Sequence, residues 1–218
     1  MNQEVLRMER SVRDRNSTDK VLMNYWLYFF ILSWLTLGIM GWVLFFQRIE
    51  RLDKYIKRRS EYFEALINYC DAIAREKGSD ESLLIRISSL RKVYESDFLG
   101  KNKEINAGLS LFLSIITFGI WGLVVMYKLN KAWNNIQISE QRVYEELNPI
   151  LMKLELIKYP ATIRLNTGKS RSFILYLFLS VITFGIWAIV WDYKIHTDAD
   201  DLYPEFHTAE DLILSALR

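Results

Sequence analysis

The residues that could bind a metal ion are concentrated near the carboxyl end of the chain. Carboxylates and imidazoles together can hold a divalent cation. Asp192 and His196 are four residues apart, so they share a face if the segment is helical. With Asp198 they are the candidates for a metal site, and the whole cluster is Asp192, His196, Asp198, Asp200, Asp201, Glu205 and His207. Because its spacing is irregular and the second histidine follows Pro204, we predict a solvated acidic tail and no bound metal.

Covalent and acid–base catalysis find little support in the sequence. The 218 residues include two histidines and one cysteine, Cys70, and neither a G-x-S-x-G motif nor a phosphate-cradling glycine loop. Gly119, Gly122 and Gly185 lie inside apolar runs, which is the wrong context for a nucleotide loop. We therefore predict that the protein is not an enzyme and uses no cofactor.

The charge balance argues against a nucleic-acid partner. Lys and Arg total 28 and Asp and Glu total 26, so the net charge at pH 7 is +2. A nucleic-acid surface needs a basic excess on one face, and here acidic residues are interspersed with basic ones. The single cysteine allows no intrachain disulfide, which is compatible with a chain that faces the cytosol.

One apolar stretch occurs three times, and the rest of the chain is organised around it. The copies begin at Ser33, Ser114 and Ser180, and all fit S-x-x-T-x-G-I-[WM]-[GA]-x-V. The second and third copies continue to Tyr-Lys, where the first has Phe46-Gln47. The motif residues that we expect to define the membrane elements are Thr36, Gly38, Thr117, Gly119, Trp121, Thr183, Gly185 and Trp187.

Each copy lies in a run without charged side chains, at residues 21–46, 105–127 and 172–191. Runs of roughly 18 or more apolar residues are long enough to cross a bilayer core. The sequence therefore predicts an all-α integral membrane protein, with three repeated helical membrane elements and an amphipathic helical bundle. The predicted segments are a polar arm (1–20), membrane element 1 (21–47), a soluble helical hairpin (48–104), membrane element 2 (105–128), an amphipathic helix with a linker (129–171), membrane element 3 (172–193) and an acidic tail with a short helix (194–218).

The Thr-x-Gly centre of each element allows two topologies. If the glycine adopts the left-handed conformation and stops a helix, each run folds into two half-helices of about 10 residues, or about 15 Å. Such an element is a re-entrant hairpin, whereas an unbroken run is a kinked span. Lys and Arg show no bias between the two sides that spans would create. That balance favours hairpins, with kinked spans as the alternative.

Two amphipathic helices follow the first and second elements, and apolar residues recur in them at alternating intervals of three and four. Such seams either pack on each other within one chain or assemble separate chains. Arg59 and Glu140 interrupt the seams at comparable depth, as a register-setting polar pair would. Pro149 predicts a kink or restart near Asn148. The seam residues proposed for assembly are Ile49, Leu52, Ile56, Arg59, Phe63, Trp133, Ile136, Glu140, Val143 and Leu147.

The T-x-G-I-W core followed by V-x-x-Y-K resembles a family of small, uncharacterised prokaryotic membrane domains, a domain of unknown function. Its hallmark is an apolar segment ending in L-x-x-x-T-x-G-I-[YW]-x-x-[YW]-x-[YW]-[KR]. Elements two and three match, whereas element one departs at Met40 and at Phe46-Gln47. The resemblance implies a protein of the prokaryotic cytoplasmic membrane, with its soluble parts in the cytoplasm, and no known chemistry.

These features predict a non-enzymatic, membrane-embedded oligomeric scaffold or membrane-shaping protein, assembled through its amphipathic helices. The expected partners are a lipid bilayer and further copies of the chain. An oligomeric pore is the alternative, and an accessory subunit of another membrane complex is a third hypothesis. A transporter is disfavoured because the apolar runs carry no charged side chain to mark an ion path.

Overall fold

The computed structural model describes residues 3–22 and 24–217, and within these ranges the regular structure is helical, with no strand. The all-α part of the prediction is confirmed. Two short stretches are π-helical, Leu27–Leu32 and Tyr94–Leu99, and one 3-10 turn spans Thr167–Lys169. The α-helices are α1 (Gln3–Arg13), α2 (Arg15–Thr18), α3 (Ser33–Leu35), α4 (Ile39–Glu76), α5 (Glu81–Val93), α6 (Ala107–Ile116), α7 (Ile120–Lys153), α8 (Phe173–Ile182) and α9 (Ile186–Ala216).

Each copy of the repeated motif folds as a helical hairpin. A short apolar helix ends at the threonine, the chain reverses at Thr-x-Gly, and a long helix begins directly after the glycine. We call residues 25–47 hairpin 1, residues 107–128 hairpin 2 and residues 173–194 hairpin 3. The long helices α4, α7 and α9 then continue out of the hairpins into a shared bundle. The structure thus has a reversal of the chain, and not a kinked span, at all three positions.

The prediction of an integral membrane protein with transmembrane helices is wrong. Across residues 3–22 and 24–217, no helix is both long and apolar enough to cross a membrane. The reason is that each uncharged run is divided between two antiparallel helices. The apolar helices α6 and α8 have 10 residues each, about 15 Å, whereas a span needs about 20 residues. The predicted location, embedded in the prokaryotic cytoplasmic membrane, rested on reading the same runs as spans, so this finding removes its support.

The bundle is built from α4, α7 and α9, with α1 and α5 packed on its outside. All ten residues proposed for assembly are buried within one chain, each no more than 5% exposed. Aromatic rings interlock at the centre, where the ring of Tyr55 lies 5.2 Å from that of Trp133 and 5.6 Å from that of Phe206. The seams therefore pack within one chain, which is the first of the two alternatives, and association of copies stays a prediction. They pack within one chain because α9 supplies the third face that covers them.

Neither proline that lies within a long helix ends that helix. The predicted break near Asn148 does not occur, since α7 runs through Pro149 to Lys153. The Asn148 side chain instead holds the returning chain at Ala161, donating to its carbonyl at 2.8 Å and accepting from its amide at 2.9 Å. Likewise, α9 runs unbroken through Pro204, so the predicted tail at 194–218 with a separate short helix is one continuous helix with hairpin 3.

Candidate functional site at the hairpin tips

The threonine of each motif joins the two helices of its hairpin. In hairpin 2 the Thr117 hydroxyl donates to the carbonyl of Leu113 at 2.7 Å and accepts from the amide of Trp121 at 2.9 Å. It therefore adds a second bond to the Leu113 carbonyl, which already accepts the Thr117 amide at 3.0 Å. It also pairs an amide at the start of α7, which a helix terminus otherwise leaves without a partner. The equivalent bonds join Thr36 to Leu32 and Met40, and Thr183 to Leu179 and Trp187.

The two residues after each threonine adopt left-handed backbone conformations. In hairpin 2 the φ angles are 49° at Phe118 and 89° at Gly119, and the other two hairpins repeat these values within 1°. The Gly119 amide donates at 2.8 Å to the carbonyl of Ser114, five residues earlier, which is the bond of a Schellman helix stop. The motif therefore encodes a helix stop followed at once by a helix start.

This geometry predicts opposite effects for alanine at two nearby glycines. Gly119→Ala places a side chain at φ +89° and is expected to destabilise the fold by about 1–2 kcal/mol. Gly122 lies inside α7, where an added Cβ would sit 3.8 Å from the Ser114 hydroxyl, an ordinary contact. Gly122→Ala is therefore the matched control and is expected to stabilise by about 0.5–1 kcal/mol. Urea unfolding of both variants measures the two effects, and equal shifts would contradict the assigned backbone strain.

The middle residue of each Thr-x-Gly turn is apolar and almost completely exposed. Leu37 is 96% exposed, and Phe118 and Phe184 are each 98% exposed. Exposure of large hydrophobic side chains is concentrated around them. The three hairpins hold 27 of the 34 such residues in the described part of the chain. Soluble monomers rarely expose contiguous apolar patches larger than a few hundred Å², and larger ones mark interaction sites.

The three hairpins are held together at their bases. Arg48, the residue directly after hairpin 1, pairs with Asp192 of hairpin 3, with Nη2 at 2.9 Å from Oδ2. The indole of Trp191 donates to the side chain of Asn130, just beyond hairpin 2, at 2.7 Å. An open groove of about 580 Å³ lies between hairpins 1 and 2, and its lining extends from Gly38 and Gly119 at the tips to this ion pair. The tips of these two hairpins therefore point to the same end of the molecule.

Lysine–aromatic pairs mark the bases of hairpins 2 and 3. Lys128 lies over the ring of Trp121 at 5.8 Å, and Lys131 lies over that of Tyr127 at 4.3 Å. In hairpin 3, Lys194 lies 5.6 Å from the ring of Tyr176. Each pair places a cation at the boundary between the apolar hairpin and the charged bundle. The Tyr-Lys continuation of the motif thus contributes to this boundary.

The metal-site candidates do not converge on a common point. Within residues 3–22 and 24–217, no group of three or more His, Cys, Asp or Glu side chains is placed to hold a metal ion. Asp192 binds Arg48, and Asp198 binds Arg171 and Lys169, with Lys169 at 3.2 Å. The backbone carbonyl of His196 accepts a bond from Arg51 at 2.6 Å. The expectation of a solvated acidic tail is also wrong, because α9 directs these carboxylates to the cations of α4 and of the loop before hairpin 3.

A buried network of charges lies in the bundle, away from the tips. Arg59 pairs with both Glu140 and Glu210, and its Nε lies 2.9 Å from Glu140 Oε1. Arg58 binds Glu210 at 2.8 Å and also binds Asp19, at 2.6 Å. Arg59, Glu140 and Glu210 are each 0% exposed. Arg59 and Glu140 therefore form the ion pair that the seams indicated, and the pair joins α4 to α7 within one chain.

The pKa values of the two buried glutamates, Glu140 and Glu210, are shifted in opposite directions. Burial raises the pKa of Glu140, and its partner Arg59 only partly offsets this. Burial also opposes ionisation of Glu210, but Arg59, Arg58 and Arg15 together outweigh it and lower the pKa of that carboxyl to about 2. The difference in pKa follows from the number of guanidinium groups, since among residues 3–22 and 24–217 three arginines pair with Glu210 and one with Glu140.

The low pKa of Glu210 predicts a loss of stability in acid. A carboxyl with a pKa of 4.5 unfolded and about 2 folded contributes on the order of 3 kcal/mol above its unfolded pKa. That contribution is expected to disappear as the pH falls from about 4.5 to about 2. The stability difference between wild type and Glu210→Gln, measured by urea unfolding across this range, should shrink accordingly. A difference that is independent of pH would contradict the assigned pKa.

The sequence analysis identified the motif but did not single out the exposed apolar residues at the hairpin tips. Leu37, Phe118 and Phe184 occupy the variable position of Thr-x-Gly. A signal was present, because a left-handed residue is normally glycine or a small polar residue such as asparagine. An apolar residue at that position in all three copies indicates a requirement other than backbone geometry.

The comparisons with known proteins support the resemblance stated above. The model of a family described as Domain of unknown function (DUF4234) matches residues 106–158 and 171–217. These two segments contain hairpins 2 and 3 with the helices that follow them, so the resemblance to an uncharacterised domain family is confirmed. The chain matches no curated protein and no solved structure.

Proposed function

We propose that this protein, two segments of which match a domain of unknown function, is a non-enzymatic scaffold. It binds one face of a lipid bilayer through its three hairpin tips. The observation that carries the proposal is the almost complete exposure of Leu37, Phe118 and Phe184 at the ends of three apolar hairpins. Transfer of such side chains from water to hydrocarbon is favourable by about 1.5–3 kcal/mol each. No helix needs to cross the bilayer in this arrangement.

The length of the hairpins fits a shallow insertion. The apolar helices α6 and α8 have 10 residues each and extend about 15 Å, half of a hydrocarbon core of about 30 Å. Backbone groups in lipid must be hydrogen-bonded within the protein. The threonine hydroxyl and the glycine amide meet part of that requirement at each turn. A tip of this construction can therefore enter one leaflet with several of its turn groups already paired.

The boundary at the hairpin bases supports the same orientation. Lysine and aromatic side chains favour the headgroup level of a bilayer, where a ring can be half immersed and an ammonium group hydrated. The pairs Lys131–Tyr127 and Lys194–Tyr176 lie at that level if the tips are inserted. Trp121 lies closer to the tip, two residues after Gly119, and the ammonium group of Lys128 lies 5.8 Å from its ring. The charged bundle then remains outside the lipid.

The scaffold role rests on the bundle that joins the three hairpins through ion pairs and aromatic contacts, and on the absence of a candidate catalytic arrangement in the sequence. Three wedges joined in this way would expand a single leaflet, which is how such a protein could shape a surface. The seams are buried within one chain, so any assembly of copies must use another surface. The pore and the accessory-subunit hypotheses stay predictions, since no specific contact favours either one.

Flotation with phospholipid vesicles tests the proposal. The full-length protein is expected to float with the vesicles and to remain in the dense fraction without them. Light scattering of the protein alone is the companion measurement. A protein that does not float, or that covers its apolar tips by stable self-association and stays in the dense fraction, would refute lipid binding.

A further inference from the structure

A basic cleft opens at the base of hairpin 2. Its volume is about 450 Å³, and it lies between the segment that precedes α6 and the first turns of α7 beyond the hairpin. Exposed lysines contribute from both sides, with Lys103 on the first segment and Lys128 and Lys131 on α7. Apolar side chains, among them Leu52 and Ile56, form part of the lining. The cleft therefore combines accessible cations with an apolar floor.

The cleft retains a positive charge after its internal ion pairs are considered. Lys101 at its edge is bound by Asp97, and Glu104 supplies one opposing charge. The carboxylate of Asp53 behind it accepts the backbone amides of Ile105 and Asn106, at 2.7 and 3.0 Å. Lys128 contacts an aromatic ring, and Lys131 contacts the Tyr127 ring and donates to its hydroxyl at 2.6 Å. Each ammonium group has three N–H donors, so both can still bind an anion.

We infer that this cleft binds the phosphate of an anionic phospholipid headgroup. The inference rests on the proposed lipid binding, because insertion of hairpin 2 brings the cleft to the depth of the headgroups. Lys128 follows the tip glycine Gly119 by nine residues, which is about 13–14 Å of helix. That distance is close to the thickness of one hydrocarbon leaflet, about 15 Å. Ammonium groups bind phosphate as point charges, and basic pockets beside membrane-inserted helices are a recognised form of headgroup site.

Vesicle binding by a charge-neutralised variant tests the inference. The triple change Lys103→Gln, Lys128→Gln and Lys131→Gln is compared with wild type on vesicles of phosphatidylcholine alone and of phosphatidylcholine with phosphatidylglycerol. Wild type is expected to prefer the anionic vesicles. Neutralising the cleft is expected to lower the affinity for the anionic vesicles on the order of 100-fold, so that the preference over phosphatidylcholine vesicles disappears. Circular dichroism verifies that the variant is folded, as expected for three exposed side chains.

The matched control removes the same total charge elsewhere. Lys57, Lys92 and Lys158 are exposed and lie outside the cleft, and their triple change to glutamine is expected to lower the affinity for anionic vesicles less than about threefold, because distant surface charges are screened. Equal losses in the two triple variants would overturn the assignment to the cleft.

Two other outcomes separate this inference from the proposed function. Equal binding of wild type to neutral and anionic vesicles would overturn the headgroup site and leave lipid binding intact. Binding to neither composition would overturn both. Titration calorimetry with inorganic phosphate distinguishes the source of the anion. Tight binding of free phosphate to the protein without vesicles, lost in the cleft variant, would overturn the assignment to a lipid.

Discussion

Replacing Leu37, Phe118 and Phe184 together by asparagine is expected to weaken binding to phospholipid vesicles at least about 100-fold, since each lost apolar side chain removes about 1.5 kcal/mol or more of transfer free energy. Asparagine tolerates the left-handed conformation better than leucine or phenylalanine does. The φ angles of 49–50° at these positions therefore make the variant at least as stable as wild type. Vesicle flotation measures binding, and thermal unfolding by circular dichroism measures stability.

The control for this variant replaces three exposed apolar residues outside the hairpins. Leu6, Ile85 and Tyr159 are 43%, 63% and 76% exposed, and their change to asparagine is expected to leave flotation unaltered. Binding by the tip variant that equals wild type would refute the tips as the lipid-binding surface. A wild-type dimer that becomes monomeric in the tip variant, with no flotation of either, would assign the tips to contact between copies of the chain.

Arg59→Leu is expected to destabilise the bundle by about 3–5 kcal/mol, because it leaves the buried carboxylate of Glu140 without a cationic partner. Of the described residues, Arg59 alone brings a guanidinium to Glu140, which is left with the Tyr55 hydroxyl at 2.7 Å. Glu210 keeps Arg58 and Arg15. The double variant Arg59→Leu with Glu140→Leu is therefore expected to lose less stability than the sum of the two single variants. Urea unfolding of the single and double variants gives the coupling free energy.

Arg142→Leu is the matched control for the same chemical change. Arg142 pairs with Asp97 at 3.0 Å but has a side chain that is 51% exposed, so its loss is expected to cost no more than about 1 kcal/mol. Comparable losses for Arg59→Leu and Arg142→Leu would show that burial of the network does not govern its contribution. A more stable Arg59→Leu variant would likewise contradict the expected cost of unpaired buried carboxylates.

Misreading the apolar runs as membrane spans had a specific cause. The number of consecutive uncharged residues gives the length of a membrane span only if those residues form one helix. The glycine after Thr117 reverses the chain, so residues 105–127 are shared between α6 and α7. The Thr-x-Gly signal that made a hairpin the favoured topology also determines that neither half has the length of a span. The apolar surface is real, but each hairpin presents it as a short double helix.

The sequence by itself determined the local features of this protein. The helix stop at Gly119, the hydroxyl bridge of Thr117 and the repeat of both in the other hairpins depend on residues within five positions of each other. The heptad spacing likewise identified the buried faces of α4 and α7, because helical periodicity alone places such residues on one side. Interactions of this range are encoded by short patterns, so they could be read without the fold.

Only the tertiary structure decided which groups meet across the chain. Arg59 is 81 residues from Glu140 and 151 from Glu210, and Arg48 is 144 residues from Asp192. No periodic pattern relates positions so far apart, and a carboxylate on an exposed tail looks the same in sequence as one that completes a core. The packing of α9 against α4 and α7 determines which carboxylates become buried, because a buried charge is tolerated only beside an opposite charge.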